Sequence, residues 1–446
     1  QLLYFYHHKY KVMMDHTSIK KFTISILLLF ILIGTTTVFS QMPIAEQADR
    51  LQQYLGFWVS SIDHTTDSVA SIPLIKMNNY PTIDHTAMSV DVFQKEGDIY
   101  NHTLTELIGY DTKTDSIFAL GKSALGDMFL GKGEFTSKTD WIMKDRDFTG
   151  KETMTVTFDF KNQTDVHLIG KDPQNLILWQ TRYIKKNPKN KNIGIQLVSV
   201  HEQMQNNPKE TLKYLDRMGF SYIETFVYKD RSFYGLSPLA FKSLVEENNL
   251  KFTGSMTFYD LPKDEDQAWK NAMQWWKNCI ADHKQAGVEY LTISNNQIKD
   301  IKTLAELKKY TEYYNAIGKL CTERGIKFAY HNHSDEFKTI ENKVVYDYLL
   351  ENTNPAYVGF QADLYWMHFS KVDPIDYFKK YKHRFISWHV KDYEELGQSG
   401  KMDFELYFKY AETAGLKYTI AEVEAFNYPV WYSINAAWNF LYFNIL

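Results

Sequence analysis

The stretch "GIKFAYHNHSDEF", residues 325–337, decides the fold. After Gly325 comes a short apolar run, "IKFAY", with the length and composition of a buried β-strand. Two histidines and two acids follow within the next six positions. A polar surface turn and one wall of an active site both fit this pattern. The sequence on either side distinguishes the two interpretations.

Strand-like and helix-like runs alternate from about residue 192 to the end of the chain. Amphipathic runs such as "PKETLKYLDRMG" separate eight apolar runs, and several end in Gly or Asn, where helices commonly stop. Eight strand–helix units in about 250 residues are typical of a (β/α)8 barrel. The alternative is an open doubly wound sheet, but its Gly-rich first turn is missing from "LVSVHEQMQNNP", residues 197–208. We therefore predict an α/β fold, a (β/α)8 TIM barrel, over residues 192–446.

The predicted barrel strands end in side chains that can bind metals or move protons. In this fold the strand ends open on one face, where the loops that follow them form the active site. Histidine nitrogens mixed with carboxylate oxygens suit a divalent ion such as Mn²⁺, Mg²⁺, Co²⁺ or Zn²⁺. The sequence therefore predicts one divalent metal ion at this face. In chain order the strand ends carry Gln196, Glu224, His331, His333, Glu336, Asp363, His389, Lys391 and Glu422.

Five motifs have the order and spacing of a known family: "GIQLVSV", "YHNHSDEF", "GFQADLYW", "FISWHVKD" and "YTIAEVEAFNYP". They resemble the xylose isomerase-like TIM barrels, a superfamily of sugar phosphate isomerases and epimerases with inosose dehydratases and apurinic endonucleases as relatives. Glu336 is expected to be the metal ligand from the fifth strand, and His331 is its substitute. At position 361 this chain has Gln, whereas one subgroup of the family often has Glu. The resemblance implies a metal held by Glu336, Asp363, His389 and Glu422.

Such a site implies proton transfer next to a substrate carbonyl, through an enediolate. We expect His333 and Glu422 to act as acid and base and Lys391 to hold a substrate oxygen. In the alternatives, His333 only orients a metal ligand and Lys391 only pairs with an acid. Substrate contacts are expected from Gln196, Glu224, His331 and Trp366.

The expected function is that of a metal-dependent isomerase or epimerase acting on a free or keto sugar. A lyase or hydratase that eliminates a group from a keto-glycoside or an inosose-like substrate needs the same metal, so the sequence does not separate the two. A non-catalytic carbohydrate-binding protein is the third interpretation. We expect a free sugar because the chain carries an export signal and shows no Arg/Lys phosphate cradle.

The export signal is predicted over residues 13–40 as a signal peptide. Lys20 and Lys21 precede "FTISILLLFILIG", and Val38 and Ser40 fit a small-residue cleavage site. The expected location is periplasmic or secreted, with no stable membrane insertion after cleavage. An uncleaved anchor is the alternative.

Residues 45–185 are predicted to be an all-β domain. Alternating runs such as "KETMTVTFDF" are separated by turn formers such as "DTKTDS" and "GKDPQN". The segments "LGFWVSS" and "ELIGYDTKTDSIFALG" resemble lipocalin-like β-barrels, so we expect an accessory domain of that kind. The polar run "KKNPKNKN", residues 185–192, is the expected linker.

Composition agrees with a globular protein of two domains. The chain has 446 residues, 44% of them hydrophobic and 23% charged, with a formal net charge of −4. No long basic block is present, which argues against a nucleic-acid partner. The expected partner is a small-molecule sugar, and the sequence leaves the oligomeric state open.

Overall fold

The computed structural model describes residues 50–61, 74–81, 86–97, 99–262, 266–294 and 296–446. The predicted signal peptide, residues 13–40, lies outside the described residues. None of the helices in the described ranges has the length and apolar character needed to cross a membrane.

Among the described residues, the first barrel is a closed antiparallel meander of ten strands, in which β1 pairs with both β2 and β10. Alternating burial explains the closure: in "WIMKDR" every second side chain, from Trp141 to Asp145, points inward. The all-β prediction holds for this part of the chain. The strands are β1 (Gly56–Ser61), β2 (Ile75–Pro81), β3 (Ala87–Glu96), β4 (Ile99–Asp111), β5 (Ser116–Ser123), β6 (Met128–Phe135), β7 (Trp141–Arg146), β8 (Glu152–Asn162), β9 (Asp165–Lys171) and β10 (Ile177–Lys186).

An aromatic cluster fills one end of the first barrel. The Tyr54 ring packs edge-on against Trp141 and Phe158, with centroids 5.5 Å away in each case. Trp141 also stacks on Phe158 at 4.5 Å. Large rings packed at right angles and in parallel leave little open space at this end.

The second barrel consists of eight parallel strands, closed by pairing of the last with the first. This confirms the predicted (β/α)8 TIM barrel. Its strands are β11 (Ile193–Gln196), β12 (Tyr222–Thr225), β13 (Lys251–Met256), β14 (Tyr290–Ile293), β15 (Lys327–His331), β18 (Gly359–Asp363), β19 (Phe385–Val390) and β20 (Tyr418–Ala421); a small hairpin, β16 (Thr339–Ile340) and β17 (Lys343–Val344), follows β15. The predicted linker, residues 185–192, overlaps the last residues of β10 and ends just before β11.

Helices cover the outside of the second barrel. Residues that favour helix starts cap several of them: the Thr303 hydroxyl and the Glu306 carboxylate form a reciprocal capping box at the start of α5. The helices are α1 (His201–Asn206), α2 (Pro208–Met218), α3 (Pro238–Glu247), α4 (Asp266–Gln285), α5 (Leu304–Glu323), α6 (Val345–Asn352), α7 (Leu364–Phe369), α8 (Pro374–Lys380), α9 (Phe404–Phe408), α10 (Ala411–Ala414) and α11 (Val430–Phe440).

Three tyrosines fill the amino-terminal end of the second barrel. Tyr222, Tyr290 and Tyr418 form one buried cluster at the starts of their strands. Glycines on neighbouring strands make room for them: a Cβ at Gly194 would lie 2.1 Å from the Tyr222 ring, and one at Gly254 would lie 2.2 Å from the Tyr290 hydroxyl. The interior is therefore packed at this end, and polar residues occupy the opposite end.

Helix α11 joins the two barrels. The Phe57 ring of β1 packs edge-on against Trp438 of α11, with centroids 5.6 Å apart. Fully buried Lys76 of β2 reaches the side-chain oxygens of Asn435 and Asn439, and its ammonium lies 5.0 Å from the Trp438 ring centroid. An aromatic and a buried cation of the first barrel thus pack on the last helix of the second.

Candidate active site

The carboxyl ends of the parallel strands bring the predicted polar residues together in the interior of the second barrel. His331 ends β15, Asp363 ends β18 and His389 lies near the end of β19. One ligand atom from each of these three residues lies within 4.8 Å of the other two, and all three side chains are buried. Buried histidines and carboxylates at this spacing could hold one metal ion.

Gln361 fixes the orientation of His331. The Gln361 Oε1 atom lies 3.0 Å from His331 Nδ1 and accepts its hydrogen bond. Because Nδ1 then carries the proton, Nε2 is free to act as a ligand, and it lies 3.9 Å from Asp363 Oδ2. Burial also lowers the pKa of His331 well below its usual range, which favours the neutral ring.

Glu224 fixes the orientation of His389 in the same way. His389 Nε2 lies 2.7 Å from Glu224 Oε1 and donates to it, so Nδ1 is the nitrogen left for a ligand. Glu224 is fully buried, and its two oxygens are held by four side-chain donors: Gln196 Nε2 (2.6 Å), Gln361 Nε2 (2.8 Å), His389 Nε2 and the Tyr290 hydroxyl.

Asp363 divides its two oxygens between a helix and the site. Its Oδ1 accepts a hydrogen bond from the Trp366 backbone N–H at 3.0 Å and caps helix α7. Its buried Oδ2 has no hydrogen-bond partner. Burial raises the pKa of Asp363 to about 7, because the charged form is poorly solvated there.

Glu422 and Lys391 complete the wall formed by β19 and β20. Glu422 Oε2 and His389 Nδ1 form a close ion pair, and neither atom has any other hydrogen-bond partner. Lys391 Nζ lies 3.5 Å from Glu422 Oε1 and also contacts Glu424. Burial opposes ionisation of Glu422, but His389 and Lys391 outweigh it and hold its pKa below the usual range.

The donor set fits a divalent cation. Asp363 Oδ2 is buried without a hydrogen-bond partner, and His389 Nδ1 and Glu422 Oε2 have no partner except each other. Unpaired buried polar atoms are costly unless something else satisfies them. The free nitrogen of His331 faces the same space, which gives two imidazole nitrogens and two carboxylate oxygens, as Zn²⁺, Mn²⁺ or Co²⁺ accepts.

Glu336, predicted as the ligand from the fifth strand, lies outside this group. It sits in the turn after β15, where the Tyr330 hydroxyl donates to Oε1 at 2.7 Å and the His333 backbone N–H donates to Oε2 at 2.9 Å. Both oxygens are therefore occupied by the local turn. His331, the substitute ligand, faces the group, and the Glu336 carboxylate does not.

His333 lies beside the group and is less buried than its members. Its Nδ1 atom is 2.9 Å from the Ser294 hydroxyl, and its ring is 5.6 Å from that of Trp366. Lys391 Nζ lies 5.2 Å from the Trp366 ring centroid, so these three side chains line one side of the site. Burial lowers the pKa of His333 to about 4, which keeps the ring neutral at pH 7 and able to accept a proton.

The sequence did not indicate the supporting roles of several residues. Gln361 stood out only as a departure from a family pattern, yet it contacts His331, Glu224 and Ser387. Ser387 and His389 are two positions apart on β19, so their side chains share one face of the strand. Strand periodicity could therefore have predicted that Ser387 lies next to His389 in the barrel interior. Gln196, predicted to contact the substrate, donates its amide N–H to Glu224 in this structure.

Comparisons with known proteins agree with this architecture. Two solved structures described as sugar phosphate isomerase/epimerase, both from Parabacteroides distasonis, superpose with TM-scores of 0.53 and 0.51 at 24% and 26% identity. They cover 56% and 55% of this chain and 93% and 95% of their own chains. Inosose dehydratase from Clostridium tetani is 34% identical over 97 residues, which are 22% of this chain and 32% of that protein. This chain therefore spans about a third of the length of the curated relatives it matches.

A family described as "Xylose isomerase-like TIM barrel" matches residues 212–439, from within α2 to within α11. Together with these relatives, the match confirms the prediction that the chain is an enzyme and sets aside the non-catalytic alternative. The chain belongs to the xylose isomerase-like TIM barrel family.

Proposed function

We propose that this protein is a metal-dependent isomerase or epimerase that acts on a free or keto sugar. One observation carries the proposal: Gln361 and Glu224 each bind one nitrogen of a histidine and leave the other directed at Asp363 and Glu422. We assign His331, Asp363, His389 and Glu422 as the residues that would hold one divalent ion, Mn²⁺, Mg²⁺, Co²⁺ or Zn²⁺. When bound, such an ion supplies Lewis-acid polarisation of a substrate carbonyl.

His333 is the proposed acid–base group. Its contact with the Ser294 hydroxyl fixes the ring and leaves Nε2 available for a proton. Isomerisation requires moving a proton from the carbon next to the carbonyl to the adjacent carbon, and epimerisation requires returning a proton to the opposite face of the same carbon. A neutral imidazole beside the site can accept the proton at Nε2 and return it to the adjacent carbon, whereas epimerisation needs Glu422 as the second proton carrier on the opposite face.

Lys391 is the proposed partner for negative charge on the substrate. Burial would lower its pKa, but Glu422, Asp363 and Glu424 outweigh burial and raise it, so the ammonium stays charged. The Tyr365 and Trp366 rings lie 5.3 and 5.2 Å from Nζ. A fixed cation between two rings can donate to an oxyanion while the rings contact a sugar face.

The substrate class follows from charge and from the expected location. Apart from its histidines, the only basic side chain among the described residues of this site is Lys391, which contacts two glutamates, and this favours a neutral sugar over a phosphate ester. The segment 13–40, with its two lysines, apolar run and small residues, supports export to the periplasm or beyond, where free sugars are the expected substrates. We propose that the first barrel is a lipocalin-like accessory domain.

A lyase is the second candidate. The curated relatives are inosose dehydratases, at 34% to 30% identity over short segments. Proton removal next to a carbonyl is common to both reactions, and loss of a β-substituent instead of reprotonation gives elimination. A keto-glycoside or inosose-like substrate would then lose a group rather than change configuration.

Deuterium incorporation tests the proposal and separates its two forms. The full chain, supplied with each divalent metal in turn, is incubated in D₂O with free aldoses, ketoses, 3-keto-glycosides and inososes. Deuterium at the carbon next to the carbonyl supports proton abstraction, and mass spectrometry separates an epimer from a dehydrated product. Absence of incorporation with every metal and sugar would contradict the proposal.

A further inference from the structure

The first barrel encloses a cavity of about 360 Å³, separate from the candidate active site. This volume lies in the range of sites for small organic ligands. The wall is largely aliphatic, thioether and aromatic, with side chains such as Met77, Val92, Met143 and Leu168. Methionines adapt their shape to a guest, so the wall suits a hydrocarbon group.

Two acids interrupt this apolar wall. Glu106 of β4 and Asp145 of β7 both line the cavity. Asp145 is 4% exposed, and its buried Oδ1 has no hydrogen-bond partner. Among the described residues that line the cavity, none has a basic side chain. A buried carboxylate normally has a cation or several donors beside it, so this pair lacks its usual partner.

The charge of Asp145 also acts on Glu106. Burial, followed by the nearby charge of Asp145, raises the pKa of Glu106 to about 8. Burial raises the pKa of Asp145 to about 7. A cation placed between the two would favour ionisation of both carboxyls.

One mouth of the barrel has an apolar rim. Leu125, Phe148 and Leu176 are 92%, 61% and 67% exposed. They lie in the turns β5–β6, β7–β8 and β9–β10, and alternate turns of a meander share one end of the barrel. The cavity residues Met154 and Trp179 lie near the starts of β8 and β10, at this same end, whereas the aromatic cluster around Trp141 fills the other. Apolar side chains exposed together in this way commonly mark a binding surface.

We propose that the first barrel binds an apolar small molecule that carries an amine. The hydrocarbon part occupies the cavity wall, the ammonium lies between Glu106 and Asp145, and the rim of Leu125, Phe148 and Leu176 is the entrance. This inference is independent of the reaction of the second barrel.

Isothermal titration calorimetry with three ten-carbon compounds that differ only in the polar group tests this proposal. Decylamine, 1-decanol and decanoate are titrated into the full chain at pH 7. We expect the amine to bind about tenfold or more tightly than the alcohol, since hydrogen bonds to charged groups exceed neutral ones, and decanoate to bind weakest. Equal affinity for amine and alcohol, tighter binding of decanoate, or no binding of any of the three would overturn the proposal.

Variants locate the binding within the barrel. Glu106→Gln with Asp145→Asn should lower the affinity for decylamine by about tenfold or more and leave that for decanol unchanged. Leu104→Trp, which fills the cavity, should abolish binding of both. Glu134→Gln changes an exposed acid of β6 and should have no effect. Near-ultraviolet circular dichroism verifies that each variant is folded, and unchanged amine affinity in the folded double variant counts against the proposal.

Discussion

Glu224 and His389, 165 positions apart in the chain, are joined by a 2.7 Å hydrogen bond inside the second barrel. This contact leaves Nδ1 of His389 as the nitrogen that faces Asp363 and Glu422. The carboxylate that controls the ring comes from β12, which is separated from β19 by β20 and β11, the two strands whose pairing closes the barrel. His389 therefore has its correct orientation only when the barrel is closed.

Glu224→Gln should weaken metal binding without removing a ligand. Gln has one acceptor oxygen where Glu224 offers two, and a neutral amide holds the N–H of His389 less strongly than a carboxylate does. We expect metal affinity to fall by about ten- to a hundredfold, the usual effect of losing a hydrogen bond behind a ligand. Chelator competition measures the affinity, and ¹⁵N NMR of His389 reports its protonated nitrogen. An unchanged ¹⁵N spectrum would contradict this role.

The variant Asp363→Asn separates the helix-capping role of Asp363 from its proposed role as a metal ligand. Asn caps helices as well as Asp does, so its Oδ1 can still accept from the Trp366 N–H and preserve α7. The charged oxygen directed at the histidines is lost, and metal content after dialysis should fall sharply. Asp363→Ala should lose the metal and also about 1 kcal/mol of stability with the cap. Full metal occupancy in Asp363→Asn would refute the ligand assignment.

His333→Ala should suppress turnover and leave the metal bound. A positioned acid or base contributes about 10²- to 10⁴-fold to the rate. Deuterium wash-in measures the rate, and elemental analysis measures the metal. His167→Ala, on the first barrel, is the matched histidine control. Parallel loss of metal and activity in His333→Ala would instead make His333 a residue that orients the ligands.

Phe57→Ala should destabilise both barrels together. Phe57 belongs to the first barrel but packs in the core of the second, against Trp438 and Tyr442 of the C-terminal segment. Removing a buried Phe side chain typically costs about 3–5 kcal/mol. Phe148→Ala, at an exposed turn, should change stability by about 0.5 kcal/mol or less. Chemical denaturation followed by circular dichroism gives both values, and equal effects would mean that the junction contributes little.

Glu106→Gln should change how stability depends on pH. The pKa of Glu106 is about 8 in the folded chain and about 4.3 when unfolded, so the folded state binds more protons between these values. Stability is therefore lost as pH rises from about 5 to 8, and Asp145, which faces Glu106, acts with the same sign. We expect the melting temperature of Glu106→Gln to exceed that of the wild type increasingly over this range, with Glu134→Gln matching the wild type. Parallel curves for all three proteins would contradict the prediction.

The sequence predicted the second barrel well because local periodicity determines its elements. Strands and helices alternate, and the residue that ends each strand can be found from the apolar run before it. His331, Asp363 and His389 were candidates for this reason. Glu336 lies apart from these three because its side chain is held by a turn and by the Tyr330 hydroxyl, neither of which is visible in the spacing.

Other features depend on contacts between distant segments. Gln361 binds His331 from the next strand of the sheet and Glu224 from across the barrel, and no local pattern indicates either bond. Closure of the first barrel depends on the pairing of β1 with β10, which are more than a hundred residues apart in the chain. The packing of Phe57 on α11 joins residues near opposite ends of the chain, beyond the reach of any motif.

Three packed tyrosines block the amino-terminal end of the second barrel, so the candidate site is approached from the carboxyl-terminal end. Tyr222, Tyr290 and Tyr418 fill the barrel axis at the amino-terminal end, so the proposed ion and sugar would both enter from the carboxyl-terminal end. In the proposed reaction, an ion held by His331, Asp363, His389 and Glu422 would therefore have to enter before the sugar. Exchange of that ion would then be slow while a sugar is bound and faster after the product leaves.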